Sequence, residues 1–392
     1  GPLNECSFYG NKEAGQKFWA MLSKGSSQPW QATLKELTGN DKLDAGPMLE
    51  YFAPLQEWLK QQNEGQMCGW QAAAPATASA APAAPAAPAA SAAPVADKVT
   101  GDFIMATGGT SGTYYAFGGV ICQVLNKATG SNITANSTGA SVENVRLLQS
   151  GEADLAIVQT DIQAYAVAGI NNFTDTGKVT NVKAIASLYP EVVHVVTTDQ
   201  SLNTVGDLKG KAISVGAAGS GTEINARQFL EAYKLTYDDV DVRYLSFAES
   251  ATALQDGSIA AAFIVAGTPN AAIVELSVAR PVKILSVGEA EQKALIEKYP
   301  FFAPHTVTKD IYNTPADAST LAIKAVLIAR EELSENDVYL LTKALFEKQP
   351  DLAAAHAKGA VLSKDTALVG VVPGNVHPGA AKYYKEIGVK VA

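Results

Sequence analysis

The sequence predicts a two-lobed α/β protein that follows a small all-α segment and a linker rich in alanine and proline. From residue 101 onward, short apolar runs alternate with helical patterns, and glycine-containing turns separate them. Residues 72–97 are mostly alanine and proline, and the residues before them have the patterning of short helices. With 392 residues, 47% of them hydrophobic, the chain is long enough for more than one domain.

Residues 1–71 form the first predicted domain, an all-α segment. Apolar side chains cluster within 11–23, which predicts a first helix. A second helix is predicted between Ser27 and Gly39, and a third begins near Pro47. Three short helices over about 70 residues make a thin core, so we expect this segment to pack against something else.

Residues 72–98 are the predicted linker. Proline recurs every few residues in AAAPATASAAPAAPAAPAASAAPVAD, and it interrupts a helix because it has no N–H and clashes with the preceding turn. Alanine offers little surface to bury. The composition is therefore typical of a semi-extended spacer between unrelated parts.

Residues 99–392 are the predicted α/β domain. Its strand-like runs are 103–106, 133–135, 154–158, 184–187, 192–197, 212–215, 242–245, 261–265 and 283–286. Helical patterns intervene, for example at 115–126 and 142–149, and the stretch 316–360 is predicted to be mainly helical. This region exceeds what one lobe comfortably holds, so two α/β lobes are expected.

Composition excludes several classes of partner and site. The net charge is −9 and no basic run is present, which argues against nucleic acid. Three cysteines and four histidines are scattered without ligand spacing, so neither a metal site nor a cofactor is expected. The sequence contains no run of about 18 or more apolar residues, so no membrane span is predicted. The N-terminal GPLNECSFYG lacks the features of a secretory leader, so we expect that a leader has been removed or that the chain begins within something longer.

The stretch MATGGTSGTYY, residues 105–115, follows an apolar run and precedes a helical pattern. It has no lysine at P-loop spacing and no GxGxxG, so both nucleotide-binding interpretations are weak. A strand that ends in a tight turn before a helix does favour an anion, because free N–H groups and the helix dipole point at it. The alternative is plain packing of a strand against a helix.

A second turn, VGAAGSGT at 215–222, repeats this design in the other predicted lobe. Two such turns favour ligand contact, because ligands of open α/β sheets bind outside the carboxyl ends of the strands. Residues at other strand ends are expected at the same cleft, although Asp161 has a helix cap as an equal alternative. The candidate ligand-binding residues are Gly108, Gly109, Thr110, Ser111, Tyr114, Tyr115, Ser137, Gln159, Asp161, Gly219, Ser220, Gly221, Thr222 and Gly267.

Catalysis finds little support in the sequence. Gly219-Ser220-Gly221 is not a G-x-S-x-G elbow, and no Asp/His pairing follows from position. His194 lies inside an apolar strand and is expected to be a buried, hydrogen-bonded histidine. Cys122 is expected to be an inert core thiol. We therefore expect a binding protein rather than an enzyme.

The α/β region resembles the TAXI-type solute receptors of tripartite TRAP transporters. The resemblance rests on ATGGTSGTYYAFGGVICQVLN, STGASVENVRLLQSGEADLAIVQTD, SLYPEVVHVV, TVGDLKGKAISVGAAGSGT and GNVHPGAAKYYKEIG. It implies a type II periplasmic-binding-protein fold, with one lobe at about 99–192 plus 305–392 and the other at about 193–304. It also implies a periplasmic receptor that passes a small carboxylate or amino acid, of the glutamate or glutamine kind, to a membrane permease. Asp161 is then a possible partner for the ammonium group of such a ligand.

Residues 1–71 resemble the C-terminal end of angiotensin-converting-enzyme-like zinc dipeptidases, on GPLNECSFYGNKEAGQKFWAML, SSQPWQATLKELTG and MLEYFAPLQEWLKQQN. The HEXXH zinc helix of that family is absent from this sequence, so the segment is expected to be catalytically empty. The resemblance implies that the disulfide partner of Cys6 would lie upstream, which leaves Cys6 unpaired or joined to Cys68. Alternatives to the receptor are an end fragment of such a dipeptidyl carboxypeptidase fused to a binding domain, and a solute-sensing module without transport.

Limited proteolysis tests whether residues 1–71 fold alone. Because their predicted core is thin, we expect a protease to trim the chain to a stable core that begins near residue 98. Mass spectrometry and N-terminal sequencing of the resistant fragments identify the boundary. A second resistant fragment from within residues 1–71 would contradict this expectation.

Overall fold

A computed structural model describes residues 11–24, 30–39, 46–62, 98–99 and 101–391. The chain divides into two compact units, the first ending at residue 90 and the second beginning at residue 91. The predicted linker at 72–97 lies outside the described residues, as do Cys6 and Cys68.

The first unit contains the three predicted helices. They are α1, Lys12–Leu22, α2, Trp30–Thr38, and α3, Gly46–Gln62. Asn11 is the N-cap of α1, and its side-chain oxygen accepts hydrogen bonds from the N–H groups of Glu13 and Ala14, both at 3.1 Å. No side chain of α1 is buried, and Trp19 is 73% exposed. The all-α prediction for this segment is confirmed.

The second unit contains ten strands and ten α-helices among its described residues. The strands are β1 Asp102–Ala106, β2 Asn132–Asn136, β3 Leu155–Gln159, β4 Val182–Thr197, β5 Ala212–Ser214, β6 Asp241–Arg243, β7 Ala261–Ala266, β8 Lys283–Ile284, β9 Ala303–Val307 and β10 Ala318–Arg330. The helices are α4 Thr113–Thr129, α5 Ser141–Ser150, α6 Thr160–Ala168, α7 Gly221–Ala232, α8 Phe247–Asp256, α9 Ala271–Ala279, α10 Glu289–Lys298, α11 Glu335–Glu347, α12 Gln349–Ala355 and α13 Pro378–Glu386.

The strands form one sheet in the order β2-β1-β3-β10-β4-β7-β5-β6, with β8 beside β4 and β9 beside β10. Strands β1, β2 and β3 are parallel at one end, and β5, β6 and β7 are parallel at the other. The long strands β4 and β10 pair antiparallel in the middle and each passes from one lobe into the other. This is the predicted two-lobed α/β architecture.

Strand β10 corrects the prediction that 316–360 is mainly helical, because its first third is a strand. In that strand, Ala325 and Leu327 pack in one lobe core, and Leu321 and Ile323 pack in a core of the other lobe. The chain therefore recrosses between lobes near residue 324, later than the expected boundary at 305.

Each lobe buries both faces of its part of the sheet. In β3, Leu155 and Ile157 pack beneath α4, whereas Ala156 and Val158 pack on the other face with α5 and α6. Because both faces are covered, these strands are continuous apolar runs rather than alternating ones. The carboxyl ends of the parallel strands, and the helices that follow them, are thereby fixed at the edge between the lobes.

Substitution of Phe229 tests the core of the second lobe. Its ring is fully buried and packs edge-on against Phe302, with the ring centroids 5.6 Å apart. We expect Phe229→Ala to lower the free energy of unfolding by about 3–5 kcal/mol, since it removes buried surface and leaves a cavity. Urea denaturation followed by tyrosine fluorescence and circular dichroism measures the change, because all four tryptophans of the chain lie within residues 1–71. Val278→Ala, at a side chain 86% exposed, is the control, and a loss of similar size there would contradict the assignment.

Candidate functional site

A cavity of about 80 Å³ lies between the two lobes of the second unit. One wall comes from the turn at 108–114, the turn at 138–141 and the end of β3. The other wall comes from residues 217–222, 246–247 and the end of β7. The predicted glycine turns therefore face each other across a single cleft.

Helix N-termini surround this cleft. Helices α4, α5, α7 and α8 each begin with residues that line the cavity. Ser220 is the N-cap of α7, and its hydroxyl accepts a hydrogen bond from the N–H of Glu223 at 3.2 Å. Free N–H groups and the positive ends of the helix dipoles favour a negatively charged group at such a place.

Glu191 and Tyr114 form the central polar pair of the cavity. The Tyr114 hydroxyl donates a hydrogen bond to Oε2 of Glu191 at 2.6 Å and lies 3.3 Å from Oγ of Ser141. Oγ of Ser141 in turn accepts a hydrogen bond from the N–H of Gln159 at 3.1 Å. Glu191 is 2% exposed. The network fixes both side chains against the wall of the cavity.

Burial controls the charge of Glu191. It raises the pKa of Glu191 to about 8, and the nearby Asp161 carboxylate adds to this rise, whereas the Tyr114 hydrogen bond and the Lys358 ammonium oppose it. Burial beside Glu191 also raises the pKa of Tyr114 well above its ordinary value. Near neutral pH the Glu191 carboxyl can therefore donate a hydrogen bond to an anion, or lose its proton beside a cation.

Gln159 presents a second polar group to the cavity. Its Oε1 is buried and has no hydrogen-bond partner among the described residues. This oxygen lies directly against Gly221, where an added Cβ would be only 1.9 Å away. A buried acceptor without a hydrogen-bond partner costs free energy. A ligand that donates a hydrogen bond to this oxygen would remove that cost.

The predicted residues that line the cavity are Gly108, Gly109, Ser111, Tyr114, Gln159, Ser220, Gly221 and Thr222. Of the others, Thr110 is exposed and Tyr115 is 38% exposed. The hydroxyl of Ser137 donates a hydrogen bond to the carbonyl oxygen of Gly108 at 3.0 Å. These three residues are not part of the cavity lining.

Three more predicted residues, Gly219, Gly267 and Asp161, make hydrogen bonds between the lobes. The carbonyl oxygen of Gly219 accepts hydrogen bonds from the N–H groups of Val142 and Glu143, at 3.1 and 3.3 Å. The carbonyl oxygen of Gly267 accepts a hydrogen bond from the Thr113 hydroxyl at 3.4 Å.

The third of these is Asp161, which the structure does not place in the cavity lining. Its Oδ2 accepts a hydrogen bond from Nδ2 of Asn225, on the other lobe, at 2.9 Å. Burial raises its pKa to about 7. In the structure, Asp161 therefore makes a contact between the lobes.

Sequence reasoning missed several residues of the cavity lining. They are Glu191, Ser246, Phe247 and Val265. The signal for Glu191 was available, since it is the single acid between two apolar runs in SLYPEVVHVV. An acid in that setting is either exposed at an edge or buried with a partner.

Further observations concern metals, membranes and the buried histidine. Among the described residues, no group of three or more His, Cys, Asp or Glu side chains could hold a metal ion. None of the described helices has the length and apolar character to cross a membrane. Nδ1 of His194 lies 3.0 Å from the carbonyl oxygen of Ile264, and burial lowers the pKa of this histidine to about 4. His194 is thus a buried, hydrogen-bonded and uncharged side chain, as predicted.

Comparison with known proteins places most of the second unit in one family. The model of the NMT1-like family matches residues 105–388. The chain belongs to the NMT1-like family. Residues 1–70 match the family model of angiotensin-converting enzyme. The bovine (Bos taurus) enzyme is 49% identical over 72 residues, which make up 18% of this chain and 6% of that enzyme, so the chain spans only a small part of the curated relatives it matches.

Solved binding proteins resemble this NMT1-like chain at low identity. The alkanesulfonate-binding protein SsuA of Xanthomonas axonopodis pv. citri, bound to MOPS, is 17% identical with a TM-score of 0.42, over 71% of this chain and 83% of that one. The ligand-binding core of GluR0 from Nostoc punctiforme, in complex with L-glutamate, is 12% identical with a TM-score of 0.40, over 65% of this chain and 98% of that one.

Glu191→Gln tests the buried acid of this NMT1-like protein. Glutamate in the unfolded chain titrates near pH 4.5 and folded Glu191 near pH 8, so the folded state binds more protons between these values. Stability contributed by this group therefore falls as pH rises through that window, by up to about 1.4 kcal/mol per pH unit. Glu191→Gln lacks this titration. We expect its free energy of unfolding, minus that of the wild type, to increase from pH 5 to pH 8 and then to level off.

Urea denaturation at constant ionic strength measures this difference at each pH. Asp161→Asn provides a second test, since the raised pKa of Asp161 gives the same sign over a window that ends near pH 7. A difference between Glu191→Gln and the wild type that does not change with pH would contradict the assignment of a raised pKa to Glu191.

Proposed function

We propose that this chain is an extracytoplasmic solute receptor that binds a small carboxylate or amino acid, of the glutamate or glutamine kind, between its lobes. It would deliver this ligand to a TRAP-type membrane permease. The observation that carries the proposal is the cleft itself, where Glu191, Tyr114 and the unpartnered Gln159 oxygen face helix N-termini of both lobes. The TAXI-like motifs of the sequence support the transport partner.

The size of the cavity supports a small ligand. A single water molecule needs about 10–15 Å³ on this measure, so a cavity of about 80 Å³ holds the equivalent of about five to eight waters. That volume suits a molecule of amino-acid size better than a peptide or a nucleotide.

The polar groups of the cavity support a ligand with charges of both signs. A carboxylate would lie at the N-termini of α4 and α7, where N–H groups are free to donate. An ammonium group would donate to Oε1 of Gln159 and to Glu191, which would lose its proton as the cation binds. Glu191 thus takes the role that the sequence suggested for Asp161.

The contacts between the lobes support binding by closure. Nδ2 of Asn270 donates to the carbonyl oxygen of Ser111 at 3.2 Å, next to the turn that lines the cavity. The Lys358 ammonium donates to the carbonyl oxygen of Thr268. A ligand that contacts both walls adds to these bonds and shifts the population toward the closed form.

Calorimetric titration of the wild type and of variants at the neighbouring Tyr114 and Tyr115 tests the proposal. Unfolded and refolded protein, stripped of any ligand carried through purification, is titrated with glutamate, glutamine, small dicarboxylates and keto acids. We expect saturable binding of at least one of them. Tyr114→Phe and Glu191→Gln should each weaken it by about tenfold or more, which corresponds to about 1.4 kcal/mol.

Tyr115→Phe is the matched control, because the Tyr115 side chain is exposed and lies outside the cavity lining. It should bind like the wild type. Absence of heat with every compound, or equal losses for the Tyr114 and Tyr115 variants, would contradict the proposed site.

A further inference from the structure

A second cavity, of about 690 Å³, lies on the opposite face of the crossing strands. Successive residues of a strand point to opposite faces, and here Glu191 lines the cleft while Pro190 lines the second cavity. The same division occurs at the end of β3, where Gln159 lines the cleft and Thr160 the second cavity. The two cavities are therefore separate sites that are lined by neighbouring residues of the crossing segments.

The walls of this hinge cavity are largely apolar and come from both lobes. Phe301 and neighbouring prolines form the wall from the second lobe, and the segment 369–373 forms the wall from the first lobe. The crossing strand β10 supplies Lys324. Volume and lining both fall in the range typical of sites for small organic molecules.

Two basic side chains give this apolar cavity its chemical character. The side chain of Lys324 is half-buried, and its ammonium group makes no hydrogen bond or ion pair within the described part of the chain. No aspartate or glutamate lines the cavity with it. His305 of β9 is the other basic group of the lining, and burial lowers the pKa of both side chains. A half-buried ammonium group without a counter-charge costs free energy. An anion bound in this cavity would offset that cost.

We propose that the hinge cavity is a second binding site, for small aromatic or aliphatic carboxylates. The carboxylate pairs with the Lys324 ammonium and accepts a hydrogen bond from the His305 ring, while the hydrocarbon part lies against Phe301 and the prolines. This ligand class differs from that of the cleft, since the hinge cavity is larger, its lining is largely apolar, and no carboxyl group like that of Glu191 lines it. The inference does not depend on the proposed function of the cleft.

Titration of the full chain with 4-phenylbutyrate tests this second site. We expect saturable binding that Lys324→Met weakens by about tenfold or more, and that Lys324→Arg largely retains because it keeps the charge. His305→Gln should weaken binding by a smaller factor, and it serves as the second variant if Lys324→Met fails to fold. The alcohol 4-phenylbutanol should bind much more weakly, because it carries no anion for Lys324.

Two controls separate this site from the cleft and from the general charge of the protein. Lys385→Met removes an exposed lysine of α13, and Glu191→Gln alters the cleft, so both should bind 4-phenylbutyrate like the wild type. The proposal is overturned if 4-phenylbutyrate does not bind, if folded Lys324→Met binds it unchanged, or if Glu191→Gln removes its binding.

Discussion

The ladder between β4 and β10 is the constraint on which the second unit depends. The two strands pair antiparallel through both lobes, with Ala322 opposite Val192 and Val326 opposite Ser187. Between these pairs the register shifts, and Lys324 lies opposite Pro190, which has no N–H to donate. The irregularity therefore falls where the chain passes between lobes. A strand pair that is continuous but locally weakened can bend there without losing the cores on either side.

The position of Glu191 follows from this crossing. It stands one residue after Pro190, on the face of β4 that lines the cleft, and the ladder places it opposite Ile323. The Tyr114 side chain then covers it, which removes it from water and raises its pKa. The same strand geometry directs Pro190 and Lys324 to the other face. One pair of strands thus organises an acidic, N–H-rich cleft and a basic, apolar cavity on opposite sides.

The sequence predicted the parts of the site that depend on local order. Glycine turns after apolar strands were recognisable, and Gly108, Ser111, Ser220 and Gly221 do line the cavity. The apolar surroundings of Glu191 were visible in the sequence, but its partner was not, because its burial depends on Tyr114, a residue 77 positions away in the chain. Position at the end of a strand predicts which edge a side chain occupies, but not which neighbour it reaches.

Strand β10 was missed for a related reason. ASTLAIKAVLIAR is apolar almost throughout, so it has neither helical nor strand period, and its alanines and leucines favour a helix. It becomes a strand because β3, β4 and β9 offer it hydrogen-bonding partners on both edges. Burial on both faces explains its composition, and such burial is a property of the sheet rather than of the segment.

In the proposed receptor, the balance between open and closed lobes follows from the sizes of the interactions at the cleft. A few polar contacts join the lobes directly, such as Asn225 with Asp161 and Thr113 with Gly267, and each contributes about 0.5–1.5 kcal/mol. Closure also buries the Gln159 oxygen without a protein partner, which costs about 1–3 kcal/mol. These terms are of similar size and opposite sign. A ligand that satisfies the buried groups while it contacts both walls therefore decides the balance, because it removes the cost and leaves the contacts between the lobes.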